Sequence, residues 1–315
     1  MDIRSALKEA MRRLREGGVP SHTLAAELLL MHVTGRERVW LYAHHEEHFD
    51  PALAEKYFEL LSRRIAGTPT QYLTGKQEFW GLEFEVAPGV LIPRPETEHV
   101  VEVALERFSV EHGHSFARDT SLGAASGGAL RIADVGTGSG CLAIALAREF
   151  PEATVMATDI SATALDIARR NAARHGVSTR IEFHECNLLD DFIPSPLATH
   201  LPRAKARGHS PLPFDLIVSN PPYIARDDSS ELPREVREHE PHEALFGGAH
   251  GGEIYAPLIA QAAQLLRSGG IFVCEIGFGA LDCVRPLFGD TSTWTAVGMT
   301  NDLAGIPRVL SAQRA

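Results

Sequence analysis

Apolar runs of strand length alternate with helical patterns from residue 130 onward, and this alternation constrains the fold more than any other feature. It predicts a parallel, doubly wound α/β sheet, because parallel neighbouring strands need helical crossovers between them. Two further strands near 294–299 and 307–312 predict an antiparallel hairpin that closes the sheet. The other predicted strands cover 130–135, 154–159, 181–185, 214–219 and 270–276, and the predicted helices cover 140–150, 161–175 and 253–267.

Residues 1–66 show helical patterns instead. The first predicted helix has apolar side chains at helical spacing and ends at Gly17-Gly18. Ser21 is predicted to cap the next helix, and Asp50-Pro51 to open one that runs to Ala66. This region therefore predicts a small N-terminal helical domain.

A change of periodicity separates the two regions. Apolar residues alternate with glutamates within 79–91, which predicts a β-hairpin, and a proline-rich turn and a helix from Glu96 to about Phe108 follow. Polar segments near 110–128 and 193–213 are predicted to be inserted loops. The predicted division is an N-terminal helical domain of residues 1–75, a β-hairpin linker of residues 76–92 and an α/β domain of residues 93–315.

Net charge limits the class of partner. The formal net charge is −11, and residues 1–78 contain equal numbers of basic and acidic side chains, so the remainder carries the whole excess. An acidic α/β domain argues against nucleic-acid binding, which needs clustered Lys and Arg, but it would attract a basic protein. The sequence has no signal-peptide pattern and no apolar run of membrane-spanning length. We expect a cytoplasmic protein that uses no membrane partner.

A glycine-rich turn follows the first strand of the α/β region. Its glycines let the backbone turn tightly and approach a ligand at the start of a helix. Asp159 ends the second strand, where an acidic side chain can accept both hydroxyls of an adenosine ribose. Together these features predict a nucleoside cofactor, either NAD or S-adenosylmethionine. The turn consists of Gly136, Thr137, Gly138, Ser139 and Gly140.

A short motif after the fourth strand indicates the chemistry. It contains Asn220, Pro221, Pro222 and Tyr223. The Asn220 side chain and the carbonyl groups of the prolines are fixed acceptors, which suit a planar NH₂ group with two donors. Tyr223 could stack on that plane or face the sulfonium cation of a cofactor. A simple proline-rich turn is the alternative, but the motif follows the glycine-rich turn and Asp159, and this arrangement resembles that of amino-methyltransferases that carry an N-P-P-Y motif.

The chain resembles the HemK/PrmC family of release factor glutamine methyltransferases over nearly its whole length. The resemblance rests on residues 220–223 and on six further segments. These segments are Pro69–Gly75, Glu78–Leu82, Val90–Glu98, Glu240–Gly248, Gly269–Gly277 and Asp302–Arg308.

The resemblance implies a fold, a reaction and a set of site residues. The fold is a Rossmann-like methyltransferase domain with a C-terminal antiparallel hairpin, joined to an N-terminal domain that recognises the substrate. The reaction is methyl transfer from S-adenosylmethionine to the glutamine of the G-G-Q motif in class 1 peptide-chain release factors. Residues 136–140, Asp159, Asn187, Leu188 and Asn220 are implied to bind the cofactor. Residues 220–223 are implied to hold the substrate and to catalyse, with Arg94 as a further substrate contact.

The expected mechanism uses position rather than a general base or a metal. Asn220 and the Pro221 carbonyl would hold the amide NH₂ group and aim its nitrogen at the methyl group. The sequence leaves three other functions open. A ribosomal-protein glutamine methyltransferase and a DNA adenine N6-methyltransferase would share the chemistry, and a non-catalytic cofactor-binding adaptor would not use it.

Overall fold

A computed structural model describes residues 1–112, 129–193 and 213–315. The predicted loops near 110–128 and 193–213 lie almost entirely outside the described residues. The chain divides into two compact units. The first comprises Met1–Gln77, Val86–Pro88 and Ser230–Glu240, and the second comprises Glu78–Glu85, Gly89–Ser229 and Pro241–Ala315.

The first unit is helical. Its core is built on fully buried residues such as Leu14, Leu29 and Tyr57, whose hydroxyl donates a hydrogen bond to the Ala26 carbonyl. The helices within Met1–Gln77 are α1 (Ile3–Glu16), α2 (His22–Thr34), α3 (Arg38–Ala43), α4 (Pro51–Ile65) and α5 (Thr70–Thr74).

Two of the predicted helix ends in this unit are confirmed, and the predicted capping by Ser21 is wrong. Gly17 ends α1, and the Asp50 carboxylate accepts hydrogen bonds from two backbone N–H groups at the start of α4. Ser21 precedes α2, but its side chain makes no capping hydrogen bond. Its φ angle of 49° is left-handed, whereas a capping residue normally has extended geometry.

A two-stranded sheet follows, formed by β1 (Lys76–Phe79) and β2 (Leu82–Glu85). Both strands lie within residues 76–92, although the alternating pattern that predicted the hairpin was placed at 79–91 and the strands end before residue 86. Trp80 and Gly81 make the tight turn, and both have positive φ angles. The Glu98 carboxylate accepts a 2.7 Å hydrogen bond from the Trp80 N–H, which fixes the turn within the second unit.

The described part of the second unit contains a seven-stranded sheet in the order β10-β11-β9-β6-β3-β4-β5. The five strands from β9 to β5 are parallel to one another, and β10 and β11 form the antiparallel end. The predicted α/β fold with a C-terminal hairpin is confirmed. The strands are β3 (Arg131–Val135), β4 (Thr154–Asp159), β5 (Ile181–Glu185), β6 (Phe214–Ser219), β9 (Leu266–Glu275), β10 (Trp294–Asn301) and β11 (Pro307–Arg314).

Both faces of the central strands of this sheet are buried. Successive residues of β3 show the alternation, because Ile132 packs in one hydrophobic cluster and Ala133 in the other. Ile271 and Phe272 of β9 divide in the same way. The helices of the second unit are α6 (Glu98–His112), α7 (Cys141–Glu149), α8 (Ala162–Arg174), α10 (His242–Leu245), α11 (Tyr255–Leu265) and α12 (Leu281–Val284), while α9 (Arg234–His239) belongs to the first unit.

Two details differ from the sequence prediction. Strand β9 begins at Leu266 rather than near 270, since Leu266 pairs with Phe214 before an irregularity in the register. A short parallel pair, β7 (Ile224–Ala225) and β8 (Phe246–Gly248), was not predicted. Strands this short carry too few residues for a periodic pattern. No helix in the described ranges is long and apolar enough to span a membrane.

Asn171 of α8 links the hairpin to the glycine-rich turn. Its Oδ1 accepts a 2.7 Å hydrogen bond from the Glu85 N–H. Its Nδ2 donates to the carbonyls of Glu85 at 3.0 Å and Ser139 at 2.9 Å. Since Asn171 is fully buried, these three backbone groups lack water as a replacement.

We expect Asn171→Leu to lower the free energy of unfolding by about 2–5 kcal/mol, because it strands several buried polar groups. Arg170→Ala is the matched control on the same helix. It removes an exposed ion pair to Glu85, and such a pair contributes less than about 1 kcal/mol. Urea denaturation of both variants measures the difference, and equal losses would contradict the role given to Asn171.

Candidate active site

A cavity of about 510 Å³ lies in the second unit, at the carboxyl ends of the parallel strands. Its volume suits a nucleoside-sized ligand, and open α/β sheets bind their ligands at this edge. Among the predicted site residues, those that line the cavity are Gly136, Thr137, Gly138, Ser139, Asp159, Asn187, Leu188, Asn220 and Pro222. Gly140, Pro221, Tyr223 and Arg94 are not among the lining residues.

The glycine-rich turn forms part of the cavity wall. The N–H groups of Gly136 and Thr137 both donate to the Thr158 carbonyl, at 2.9 and 2.8 Å. Gly136 and Gly138 have left-handed φ angles of 73° and 55°, which other residues adopt only with strain. Gly140 instead allows close packing against α8, because a methyl group there would lie only 3.1 Å from Ala168.

Asp159 faces the turn from the end of β4. Its Oδ2 accepts from the Gly138 N–H and its Oδ1 from the Ser161 N–H, each at 2.9 Å. Burial raises the pKa of this carboxyl, and the backbone hydrogen bonds oppose the rise. The Ser161 side chain caps α8 through the Ala164 N–H, so Asp159 is not needed for that purpose. Its remaining lone pairs are available to ribose hydroxyls.

Asp134, on β3, is a buried carboxylate that the sequence analysis did not single out. Its Oδ2 accepts from the Thr137 hydroxyl at 2.6 Å and from the Ala143 N–H at 3.0 Å. It therefore ties the turn to the first turn of α7. Burial raises the pKa of Asp134 to about 7. Asp134 lies two residues before the glycine-rich turn, and this proximity in the sequence could have indicated its role.

Asn187 and Leu188 occupy a tight turn after β5, and Leu188 has a positive φ angle of 50°. The turn is held by Gln261 of α11, whose Oε1 accepts from the Leu189 N–H at 2.8 Å. Gln261 also donates to Asp190 at 2.7 Å, and Asn187 donates to the same carboxylate at 3.2 Å. Gln261 had no detectable signal in the sequence, since it lies 72 residues from the turn it supports.

Asn220 reaches the cavity from the end of β6. Its Nδ2 donates a 2.9 Å hydrogen bond to the hydroxyl of Thr97, and Thr97 donates at 2.7 Å to Glu275. The Tyr223 hydroxyl donates to the other oxygen of the same carboxylate at 3.2 Å. Sequence reasoning assigned no role to Thr97 or Glu275, although both lie in segments that carry the family resemblance.

Close backbone packing holds the segment after Asn220. A methyl group on Gly247 would overlap the Pro222 carbonyl, and one on Gly251 would overlap the Tyr223 carbonyl. A methyl group on Gly277 would lie 2.7 Å from the Tyr223 ring. These glycines therefore let neighbouring chain segments pack directly against the motif and fix its shape.

Tyr223 lies in a charged environment. Burial raises the pKa of its hydroxyl, and the Glu275 carboxylate adds to the effect. The positive charges of Arg308 and Arg94 oppose it. Arg94 is therefore near the motif, although it does not line the cavity. Within the described ranges, no group of three His, Cys, Asp or Glu side chains is placed to hold a metal ion.

The sheet, the glycine-rich turn and the cavity define an S-adenosylmethionine-dependent methyltransferase. Residues 127–282 match a methyltransferase domain and residues 5–75 match the PrmC N-terminal domain. Two solved structures share the fold. The N-terminal domain of human METTL16 in complex with SAH has a TM-score of 0.50 and 17% identity, covering 90% of both chains. The catalytic domain of hMettl16 with an RNA hairpin has a TM-score of 0.53 and 17% identity, covering 81% of this chain and 82% of the other.

Relatives identify the family within this class. The release factor glutamine methyltransferase of Koribacter versatilis is 38% identical over 100% of this chain and 99% of its own. That of Moorella thermoacetica is 40% identical with the same coverage. The chain belongs to the release factor glutamine methyltransferase family, as the sequence motifs predicted.

S-adenosylmethionine fits the residues that form the cavity. Asp159 offers a half-buried carboxylate to hydroxyl groups, and the glycines at 136 and 138 leave room for close approach. Apolar side chains, including Ile160, Leu188 and Ile254, line the same cavity and suit a planar base. The particular contacts of Asn187 and Leu188 with that base remain predictions.

We expect Asp159→Ala to weaken S-adenosylmethionine binding about 10- to 150-fold, because the ribose hydroxyls lose a charged acceptor. Asp166→Ala, on the exposed side of α8, is the control and should leave the affinity within twofold, by about 0.4 kcal/mol or less. Titration calorimetry measures both. Unchanged affinity in Asp159→Ala would remove Asp159 from the cofactor site.

Proposed function

We propose that this protein transfers a methyl group from S-adenosylmethionine to the side-chain amide nitrogen of the glutamine in the G-G-Q motif of class 1 peptide-chain release factors. One observation carries the proposal. Asn220 lines the cavity and one N–H of its amide donates to Thr97, while no group in the described part of the chain donates to its Oδ1, which can therefore accept from a ligand. An acceptor fixed beside a methyl donor site suits a substrate NH₂ group.

The reaction is difficult because the substrate nitrogen is weakly nucleophilic. Its lone pair is delocalised into the neighbouring carbonyl, so the nitrogen is a poor nucleophile. Asn220 Oδ1 and the Pro221 carbonyl would each accept one N–H of the amide. Holding both N–H groups orients the nitrogen and favours a pyramidal geometry with a more available lone pair.

When bound, S-adenosylmethionine would supply a methyl group on a cationic sulfur, and that sulfur would keep the electron pair of the broken C–S bond as the amide nitrogen bonds to the carbon. The acceptors on this chain then face a nitrogen that gains positive charge, and they stabilise it more strongly than the neutral amide. The alkylated nitrogen is strongly acidic, so its proton can pass to water without a dedicated base. Preorganised acceptors, rather than proton transfer, would lower the barrier.

Family membership favours a release factor over the other substrates. The relatives from Koribacter versatilis and Moorella thermoacetica are both named release factor glutamine methyltransferases. The net charge of −11 does not favour a nucleic-acid substrate. The proposed product is a methylated factor that acts in translation termination, and we therefore propose that the enzyme acts in the cytoplasm.

The helical unit is the proposed site of recognition. Its helices expose three large apolar side chains, Leu24, Val39 and Tyr42, with exposed fractions of 49%, 78% and 53%. The Tyr42 hydroxyl bonds to Glu27, one turn from Leu24 on α2, and Val39 lies one turn before Tyr42 on α3. We name these three residues the apolar patch and propose that it contacts the release factor.

The direct test is mass spectrometry of a purified class 1 release factor after incubation with enzyme and S-adenosylmethionine. We expect a gain of one methyl group on the glutamine of the G-G-Q peptide. Parallel reactions contain ribosomal proteins and adenine-containing DNA. Methylation of either of these, with none on the release factor, would replace the proposed substrate.

We expect Asn220→Ala to lower kcat by about 100-fold or more, because it removes an acceptor aimed at the reacting nitrogen. Its affinity for S-adenosylmethionine should stay near that of the wild type. Asn187→Ala is the matched control on the other side of the cavity, and it should act on cofactor affinity instead. A near-normal kcat in Asn220→Ala would refute the proposed role.

A surface variant tests recognition better than truncation does. Arg64 is buried in the helical unit and pairs with Glu235, so deletion of the N-terminal region would remove the partner of a later segment. We expect Val39→Glu to reduce kcat/KM on the intact factor about 10-fold, while Val39→Thr changes it little. Activity on a short G-G-Q peptide should be equally low in all forms. Unchanged kcat/KM in Val39→Glu would exclude the apolar patch.

A further inference from the structure

A chain of hydrogen bonds connects Asn220 to a buried carboxylate that does not line the cavity. Asn220 Nδ2 donates to Thr97 Oγ1 at 2.9 Å, and Thr97 Oγ1 donates to Glu275 Oε2 at 2.7 Å. Tyr223 donates to Glu275 Oε1 at 3.2 Å. Thr97 and Glu275 are each only 1% exposed, so water does not compete for these contacts.

The protons available to these groups determine which group donates in each hydrogen bond of this chain. A carboxylate has acceptors only, so the single hydroxyl proton of Thr97 must point to Glu275. The oxygen of Thr97 can then only accept from Asn220, which obliges the amide to present its NH₂ group. Asn220 Oδ1 is thereby turned away from Thr97. The charge on Glu275 thus decides which end of the Asn220 amide is available to a ligand.

Opposing influences act on the charge of Glu275, and the direction of the hydrogen bonds given above is that of its anionic form. Burial raises the pKa of Glu275, but the hydroxyls of Thr97 and Tyr223 and the positive charge of Arg308 oppose this rise. Glu96 acts in the same direction as burial. Both carboxylate oxygens accept a hydrogen bond, which is the arrangement that favours the charged form.

We propose that Thr97 and Glu275 are positioning residues, which hold the Asn220 amide with Oδ1 toward the substrate NH₂ group. This inference rests on the proposed function, in which Oδ1 accepts an N–H of the glutamine. The negative charge of Glu275 also polarises the chain, so that Oδ1 becomes a stronger acceptor as the substrate nitrogen gains positive charge. Neither residue exchanges a proton with the substrate.

The opposite orientation of Asn220 would be unproductive. If the amide rotated by half a turn, its NH₂ group would meet the NH₂ group of the substrate, donor against donor. An isolated Asn side chain has little preference between these orientations, because its oxygen and nitrogen ends have nearly the same shape. The Thr97 hydroxyl is what distinguishes them. Its loss should therefore affect the reaction much more than cofactor binding.

The test compares variants of Thr97 and Glu275 in the full-length enzyme. We expect Thr97→Val, which keeps the shape but lacks the hydroxyl, to lower kcat about 10- to 100-fold. Thr97→Ser keeps the hydroxyl and should restore most of that loss. Glu275→Gln should also lower kcat, because its NH₂ group can donate to Thr97 and release the hydroxyl proton toward Asn220. Affinity for S-adenosylmethionine should stay within about twofold in all three variants.

A double-mutant cycle separates a positioning role from a general structural one. If Thr97 acts through Asn220, Thr97→Val should cause little further loss of kcat in an Asn220→Ala background. A loss that multiplies with that of Asn220→Ala would overturn the proposal. So would a Thr97→Val enzyme with normal kcat, or a Thr97→Ser enzyme as impaired as Thr97→Val.

Nuclear magnetic resonance reads the amide orientation without using activity. In protein labelled with nitrogen-15 at Asn, the side-chain signals of Asn220 are those missing from Asn220→Ala. We expect one of its N–H protons to show a downfield, exchange-protected signal that Thr97→Val abolishes and Thr97→Ser retains. An Asn220 signal that is the same in Thr97→Val and wild type would overturn the positioning role. Absence of methyl transfer by the wild type would instead overturn the proposed function.

Discussion

The parallel pairing of β3 with β4 on one side and β6 on the other is the constraint on which the active site depends. Val135, the last residue of β3, pairs with Thr158 in β4 and with Ser219 in β6. The residues that follow these three positions therefore leave the sheet side by side. They are Gly136, which begins the glycine-rich turn, Asp159, which we expect to bind the ribose, and Asn220, which begins the motif proposed to hold the substrate. A shift of one residue in either register would turn the side chains of that strand to the opposite face.

Two buried carboxyl groups, Asp134 and Glu275, and the half-buried Asp159 lie at this edge of the sheet. Burial raises the pKa of Asp134, Asp159 and Glu275, and in each case hydrogen bonds from hydroxyl or N–H groups oppose that rise. Such hydrogen bonds make buried carboxylates tolerable in a folded protein. The resulting site suits a cationic methyl donor and a substrate nitrogen that gains positive charge. Catalysis of this kind needs rigid acceptors, which explains why backbone segments pack so closely around residues 220–223.

Sequence patterns that depend on a few adjacent residues predicted the helix ends well, whereas features that depend on distant contacts were not predicted. Gly17 and Asp50 act in the predicted way, because ending and capping a helix depend on a few adjacent residues. Ser21 has the right residue type but the wrong backbone angle, which its own identity does not determine. The β7–β8 pair depends on contacts between residues 224–225 and 246–248, so neither short strand carries a pattern of its own.

By itself, the sequence determined the α/β class, the order of the elements, the glycine-rich turn, Asp159 and the Asn220 motif. These follow from hydrophobic periodicity and from residues that are close together in the chain. Only the tertiary structure decided how the Asn220 amide is oriented, because Thr97 lies 123 residues from Asn220 and 178 residues from Glu275. A hydrogen bond between distant segments leaves no local pattern in the residues that form it. It exists only when burial and strand register bring the two groups within reach.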